Sequence, residues 1–198
     1  MKSIQDLQNL DGKKVLLRLD LNVPLKKDVI KDETRINKIL PIINFLLKKK
    51  AKIIIISHVG RPNGKVNSEL SMKPICQNLE TKINEKIDLF TDDIRETKDR
   101  NLFKNFNQNI IILENIRFYP EEEKNDLNFA EILSSFGDIY VNDAFSCSHR
   151  AHASVTSIAK FLPSYAGIQL NSEVKALQKI TTDIKRPITS IIGGSKNS

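Results

Sequence analysis

The sequence predicts an α/β domain on a parallel sheet with helices on both faces, a Rossmann-like three-layer α/β/α arrangement. Three observations carry that reading. Apolar runs with little polar alternation recur at 15–21, 52–59, 109–116, 138–143 and 187–194, the pattern of strands buried on both faces. Helix-period stripes lie between them, and strand and helix alternate along the chain. At 198 residues, 40% of them hydrophobic, the chain can bury one large core or one core and part of another.

The elements follow in order. VLLRLDL at 15–21 is the first strand. Ile36, Ile39, Leu40, Ile43 and Leu47 form an i, i+3, i+4, i+7 stripe, and Pro41 inside it is expected to kink or shorten that helix. KIIIISHV is the second strand. Met72, Ile75, Cys76, Leu79 and Ile83 repeat the stripe, with Ser71 as N-cap. IDLF at 87–90 is a short further strand, and NIIILENI follows at 109–116. The helix DLNFAEILSSF at 126–136 is expected to stop on Gly137 in a left-handed conformation. DIYVND is the next strand, LPSYAG at 162–167 reads as turns, and Val174, Leu177, Ile180 and Ile184 mark a last helix. PITSIIGGSKNS opens a fresh strand with no helix behind it, so a truncated chain is expected.

Composition narrows the function. No apolar run approaches the roughly 20 residues of a membrane span, and MKSIQDLQNLDGKK has no signal-peptide core. Two cysteines, Cys76 and Cys147, build no disulfide framework, so a reducing, cytoplasmic setting is expected. The net charge of +7 favours anionic partners. Lysine-rich usage throughout the chain (KKK at 48–50) explains part of that charge, and no basic patch interleaved with aromatics marks a nucleic-acid binder.

The placement of arginine and histidine is more selective. In open α/β sheets, ligands bind at the carboxyl ends of strands. Arg18, Asp20 and Asn22 follow the first strand, His58 and Arg61 the second, Arg117 the third long run, and Asp143, His149, Arg150 and His152 the fourth; Arg35 opens a helix. All three histidines and five of the eight arginines thus fall at strand ends or a helix start. Arginine matches phosphate and carboxylate bidentately, and each charge-assisted bond contributes about 1.5–3 kcal/mol. The residues point to a site for a small phosphorylated carboxylate.

Each residue also has a structural reading. Arg18 can pair with Asp20 on one strand face, Asn22 can be a turn residue, His58 and Gly60 can simply end a strand, and Arg117 can face the EEEK run at 121–124. GRPNGKV at 60–66 is one residue short of a Walker loop and lacks its Ser/Thr. Cys147, His149 and His152 match no strong zinc spacing, and nothing around Cys147 fixes an oxyanion hole for a nucleophile. IIGGSK at 191–196 offers glycines where backbone could approach phosphate.

LLRLDLNVP, SHVGRP, LENIRFYPEEEKND, VNDAFSCSHRAHAS, LPSYAG and GGSK, in this order and spacing, resemble the phosphoglycerate kinase family over the whole chain. The resemblance implies reversible phosphoryl transfer between 1,3-bisphosphoglycerate and ADP, giving 3-phosphoglycerate and ATP in glycolysis. It implies residues 1–170 as the 3-phosphoglycerate domain of a two-domain kinase, 171–185 as an interdomain helix and 186–198 as the first strand of a truncated nucleotide domain. By motif, Asp20 and Asn22 hold the hydroxyl and carboxylate end, while His58, Arg61, Arg117 and Arg150 bind the 3-phosphate. Arg35 lies beside the acyl-phosphate and stabilises the phosphoryl group in flight; Lys196 is the second catalytic residue, meeting that group from the other domain, and Gly194 and Lys196 belong to the nucleotide site. Magnesium is expected with ADP or ATP, bound mainly by the missing half, with no metal ligand in this chain. A monomer is expected, inactive as an isolated half; the alternative is a non-catalytic module that binds a phosphorylated metabolite.

Overall fold

The computed structural model describes residues 1–182 and Thr189. The elements run β1 (Lys14–Arg18), the hairpin strands β2 (Leu25–Lys26) and β3 (Val29–Ile30), α1 (Thr34–Lys48), β4 (Lys52–Ile56), α2 (Lys73–Ile83), β5 (Ile87–Phe90), β6 (Ile110–Leu113), α3 (Pro120–Glu123), α4 (Leu127–Ser134), β7 (Ile139–Asn142), β8 (Ser164–Ala166) and α5 (Ile168–Thr181). Six strands make one sheet in the order β5-β6-β4-β1-β7-β8, and every pairing in it is parallel. The fold is therefore the α/β class that the apolar runs predict.

The lack of polar alternation has a direct cause. Val15, Leu17, Ile53, Ile55, Ile110, Ile112 and Val141 pack into the core under α1 and α2. Their neighbours Leu16, Ile54, Ile56, Ile111, Leu113 and Tyr140 pack into a second core with Phe129 and Leu133 of α4. Successive side chains point to opposite faces, and both faces are covered, so every position must be apolar. Register puts the end of β1 beside its neighbours' ends: Arg18 pairs with Ile56 of β4 and Asn142 of β7. A crevice at the carboxyl ends of four strands follows from that alignment.

Several local expectations change. α1 runs unbroken through Pro41, whose exposed position lets water reach the carbonyl left without a donor. Its inward stripe is Ile36, Ile39, Ile42, Ile43 and Leu46, so Leu40 and Leu47 are only partly covered. Met72, not Ser71, occupies the N-cap of α2; the Ser71 hydroxyl still accepts from the Lys73 amide at 3.1 Å. Gly137 is not a left-handed stop, since positive φ among glycines falls at 12, 60 and 64. A Cβ there would come within 2.5 Å of Leu16 Cγ, so close approach of the chain to β1 requires the glycine. LPSYAG contributes the edge strand β8, with Pro163 just before it, where no ladder donor is needed.

α5 starts at Ile168, ahead of the expected 171–185 segment, and Leu177 and Ile180 of its stripe are exposed. The expected strand at 187–194, with Gly194 and Lys196, lies outside the described residues.

Candidate anion-binding site

The segments beyond the strand ends are pinned to one another before any charged side chain is placed. The Ser57 hydroxyl donates to the Leu19 carbonyl at 2.8 Å and accepts from the Leu21 amide at 3.1 Å, tying the chain after β1 to that after β4. Asn22 Oδ1 accepts from the Gly60 amide at 2.9 Å. Gly60 sits at φ +64, where a Cβ would also collide with Leu70, so the turn that leads to Arg61 requires glycine. Asn115 donates to the Val59 and Leu70 carbonyls and accepts from the Arg117 amide, which starts the 3-10 turn Ile116–Phe118 after β6.

On this frame Arg18, His58, Arg117, Arg150 and His152 converge closely enough to repel one another. His58 is buried, and burial together with the charges of Arg18, Arg117, Arg150 and His152 pushes its pKa down to about 2. Burial, with Arg150 and Arg18 nearby, moves Arg117 below its usual range despite the carboxylate of Glu123. His152 is lowered for the same reasons, burial first and then Arg117. Arg117 donates to the Gly60 carbonyl at 3.0 Å. Three buried nitrogens here, Arg117 Nε, Arg150 Nε and His152 Nδ1, make no hydrogen bond, although Glu123 stands 3.4 Å from the first and Glu122 3.7 Å from the third. Buried polar groups are normally satisfied, and a group of unsatisfied nitrogens among like charges is what a bound anion resolves. Arg61 is exposed on the loop after β4 and makes no ion pair among the described residues.

The acidic side of the crevice is separate. Asp20 takes Arg35 Nη1 at 2.6 Å on each oxygen and also accepts from the Ser146 hydroxyl. A cation in the first turn of a helix opposes the helix dipole, and Asp20 supplies a directly bonded countercharge for Arg35 of α1. A cavity of about 200 Å³ lies here, lined by Asp20, Arg35, Lys38, Asp143, Ser146 and Glu173. Asp143 is buried and accepts from the Leu170 amide at 2.9 Å, capping α5. Burial pushes its carboxyl up to about 6 against the Leu170 and Gln169 amides.

The alternative structural reading, in which Arg18 pairs with Asp20, does not hold. β1 ends at Arg18, so alternation no longer governs Asp20. Arg18, fully buried, instead donates to Ser154 Oγ at 3.0 Å and faces His58 Nδ1 at 3.1 Å. The structural reading of Arg117 holds in part: it is buried, and its Nε lies 3.4 Å from Glu123. Cys147 and Cys76 are free and buried, whereas His149 is exposed. No group of three or more His, Cys, Asp or Glu among the described residues could hold a metal ion.

Sequence reasoning missed Glu122 and Ser154, which lie beneath the cluster. Ser154 donates its amide to Glu122 Oε2 at 2.8 Å and its hydroxyl to Oε1 at 2.6 Å. A PEEEK run reads as a solvated face, and only tertiary packing singles out its middle glutamate. A larger cavity, about 360 Å³, is elsewhere, with Asp93, Arg95, Glu114 and Tyr119 in its wall. Its charges are already paired, Arg95 with Asp93 and Glu121, and Glu114 with Ser71 and the Met72 amide.

Comparison with known proteins identifies relatives of the chain in sequence and in fold. The profile described as "Phosphoglycerate kinase" matches residues 4–198. The phosphoglycerate kinase of Wolbachia pipientis wMel is 50% identical over 198 residues, covering 99% of this chain and 50% of its own length. That of Borreliella afzelii (strain PKo) is 43% identical, covering 100% and 50%. Among solved structures, phosphoglycerate kinase from Coxiella burnetii aligns at a TM-score of 0.85 and 35% identity over 98% of this chain and 48% of that one. The Pyrococcus horikoshii OT3 enzyme aligns at 0.82 and 30%, over 94% and 47%. The chain spans about half the length of the curated relatives it matches. A match over nearly all of its residues, in sequence and in fold, means that the chain belongs to the phosphoglycerate kinase family.

Proposed function

We propose that this chain is the 3-phosphoglycerate-binding part of a phosphoglycerate kinase, acting in reversible phosphoryl transfer between 1,3-bisphosphoglycerate and ADP in glycolysis. The observation that carries the reading is the convergence of Arg117 Nε, Arg150 Nε and His152 Nδ1, all buried and without a hydrogen bond, around a neutral His58. That arrangement suits a phosphate group. Arg61 closes on it from the exposed loop, and Asp20 and Asn22 take the hydroxyl and carboxylate end of the substrate.

Phosphoryl transfer depends chiefly on positioning and on stabilising charge at the oxygens in flight. Arg35 serves the second need by leaving Asp20 for the acyl-phosphate as substrate arrives. Residues 1–170 form the substrate domain, 171–185 the connecting helix and 186–198 the start of a nucleotide domain. Lys196 and Gly194 belong to that nucleotide side. Magnesium travels with ADP or ATP and is held by the part of the enzyme that the relatives have and this chain does not span. The protein acts as a cytoplasmic monomer; no helix among the described residues is long and apolar enough to cross a membrane.

Calorimetric titration of 3-phosphoglycerate into the purified chain tests the reading. Saturable binding between about micromolar and millimolar is expected, weakened at least about tenfold by Arg61→Ala. No binding by a cooperatively folded chain overturns it. The chain alone should show negligible ATP-dependent turnover in a coupled assay.

A further inference from the structure

The residue beneath the basic cluster has no part in the function proposed above, yet the geometry ties it to His58. Arginine has five donors and no acceptor, so the 3.1 Å contact between Arg18 Nη2 and His58 Nδ1 has one direction: arginine donates and Nδ1 accepts. A neutral imidazole that accepts at Nδ1 carries its proton on Nε2. The same logic runs the other way along Arg18. Its Nε donates to Ser154 Oγ, whose single hydrogen is thereby directed to Glu122 Oε1. The Nη1 group is fixed by the carbonyls of Leu19 at 2.5 Å and Ile56 at 3.4 Å, and Tyr140 Oη anchors the Ser154 carbonyl at 2.8 Å. Arg18, Ser154 and Glu122 are all fully buried.

We propose that Glu122, Ser154 and Arg18 form a positioning relay that locks His58 in its neutral, Nε2-protonated form, so that it presents a fixed N–H donor to the bound anion. His58 is then a directional hydrogen-bond donor and not a titrating cation. The charged groups facing it come from every neighbouring segment: Arg18 from β1, Arg117 from the turn after β6, and Arg150 and His152 from the segment after β7. All of them oppose a second proton on the ring. Glu122 reaches the ring through Ser154 and Arg18 and lies 3.7 Å from His152 Nδ1, and burial raises its own pKa while Arg18 and Ser154 draw it back. The role of the donor rests on the proposed substrate reading; the tautomer does not.

The test is nitrogen-15 NMR of the histidine-labelled chain, first without ligand and then with 3-phosphoglycerate. His58 is expected to keep its proton on Nε2 with no titration from about pH 5 to 8, where an ordinary histidine changes charge. Ser154→Ala should mix the tautomers and weaken 3-phosphoglycerate binding about tenfold, as for one misplaced charge-assisted bond. Should that variant not fold cooperatively, Arg18→Lys is read in the same way, because lysine keeps the charge but cannot bridge both partners. A His58 that titrates near its ordinary value, or that carries its proton on Nδ1, overturns the relay. So does a folded variant with tautomer and affinity unchanged. A locked tautomer in a chain that does not bind 3-phosphoglycerate upholds the relay and sinks the substrate reading instead.

Discussion

Arg18 and Arg35 flank one crevice and are held in opposite ways. Arg18 is fully buried, with each nitrogen assigned to a partner just after β1, at or just after the end of β4, or in the Ser154 segment. Arg35 is half-exposed and rests on a single carboxylate, Asp20. A buried cation can move only if its partners move with it, since an unpaired buried charge is costly. A half-exposed one exchanges a carboxylate for water or substrate at little cost. The difference separates what the site builds in advance, a fixed donor array for phosphate, from what it leaves free to act during transfer.

The sharpest way to break that comparison is Glu122→Ala. Removing the acceptor at the end of the Arg18 chain should cost about 3–5 kcal/mol in urea denaturation; a loss under about 1 kcal/mol would mean that Arg18 is not held as described. Next comes Asp143, whose carboxyl is pushed up to about 6 from an ordinary 3.8. The folded chain holds that proton more tightly than the unfolded one, so the group's contribution is complete below about pH 4 and declines as pH rises through 6. Asp143→Asn removes the decline, so the variant should gain thermal stability relative to wild type between about pH 4 and 7, with no such gain if Asp143 is ordinary. The smallest effect is expected for Arg35→Ala, under about 1 kcal/mol by the same denaturation. A larger loss would make Arg35 a structural anchor and erase its contrast with Arg18.

Much of this was legible from the chain. β1, β4, β6 and β7 announce themselves because burial on both faces forbids polar residues, as at Ile53, Ile54, Ile55 and Ile56. The strand ends then locate the crevice and nominate His58, Arg117 and Arg150 as its lining. Four features stayed hidden for physical reasons. β8 is short and lies at an edge, so it carries no continuous apolar run. Gly137 resembles a helix stop, but its cause is a contact with Leu16, more than a hundred residues away in sequence. The Arg18–Asp20 pair assumed that alternation continues past Arg18, where the strand has ended. Glu122 is the clearest case, since its neighbours Glu121 and Glu123 are not fully buried and nothing local separates the three.

The strand order has a bearing on how the molecule is made. β1 leaves the ribosome before β4 and β7, yet it lies between them, and the Lys14 amide meets the Asp138 side chain 124 positions downstream. Closing so long a loop before any contact rewards it slows folding. During synthesis one edge of β1 can zip to β4 early, while the other stays open until β7 emerges. That open, apolar edge is the point at which a nascent chain is most exposed to a second copy of itself, and a chaperone that shields residues 14–18 would act on that interval.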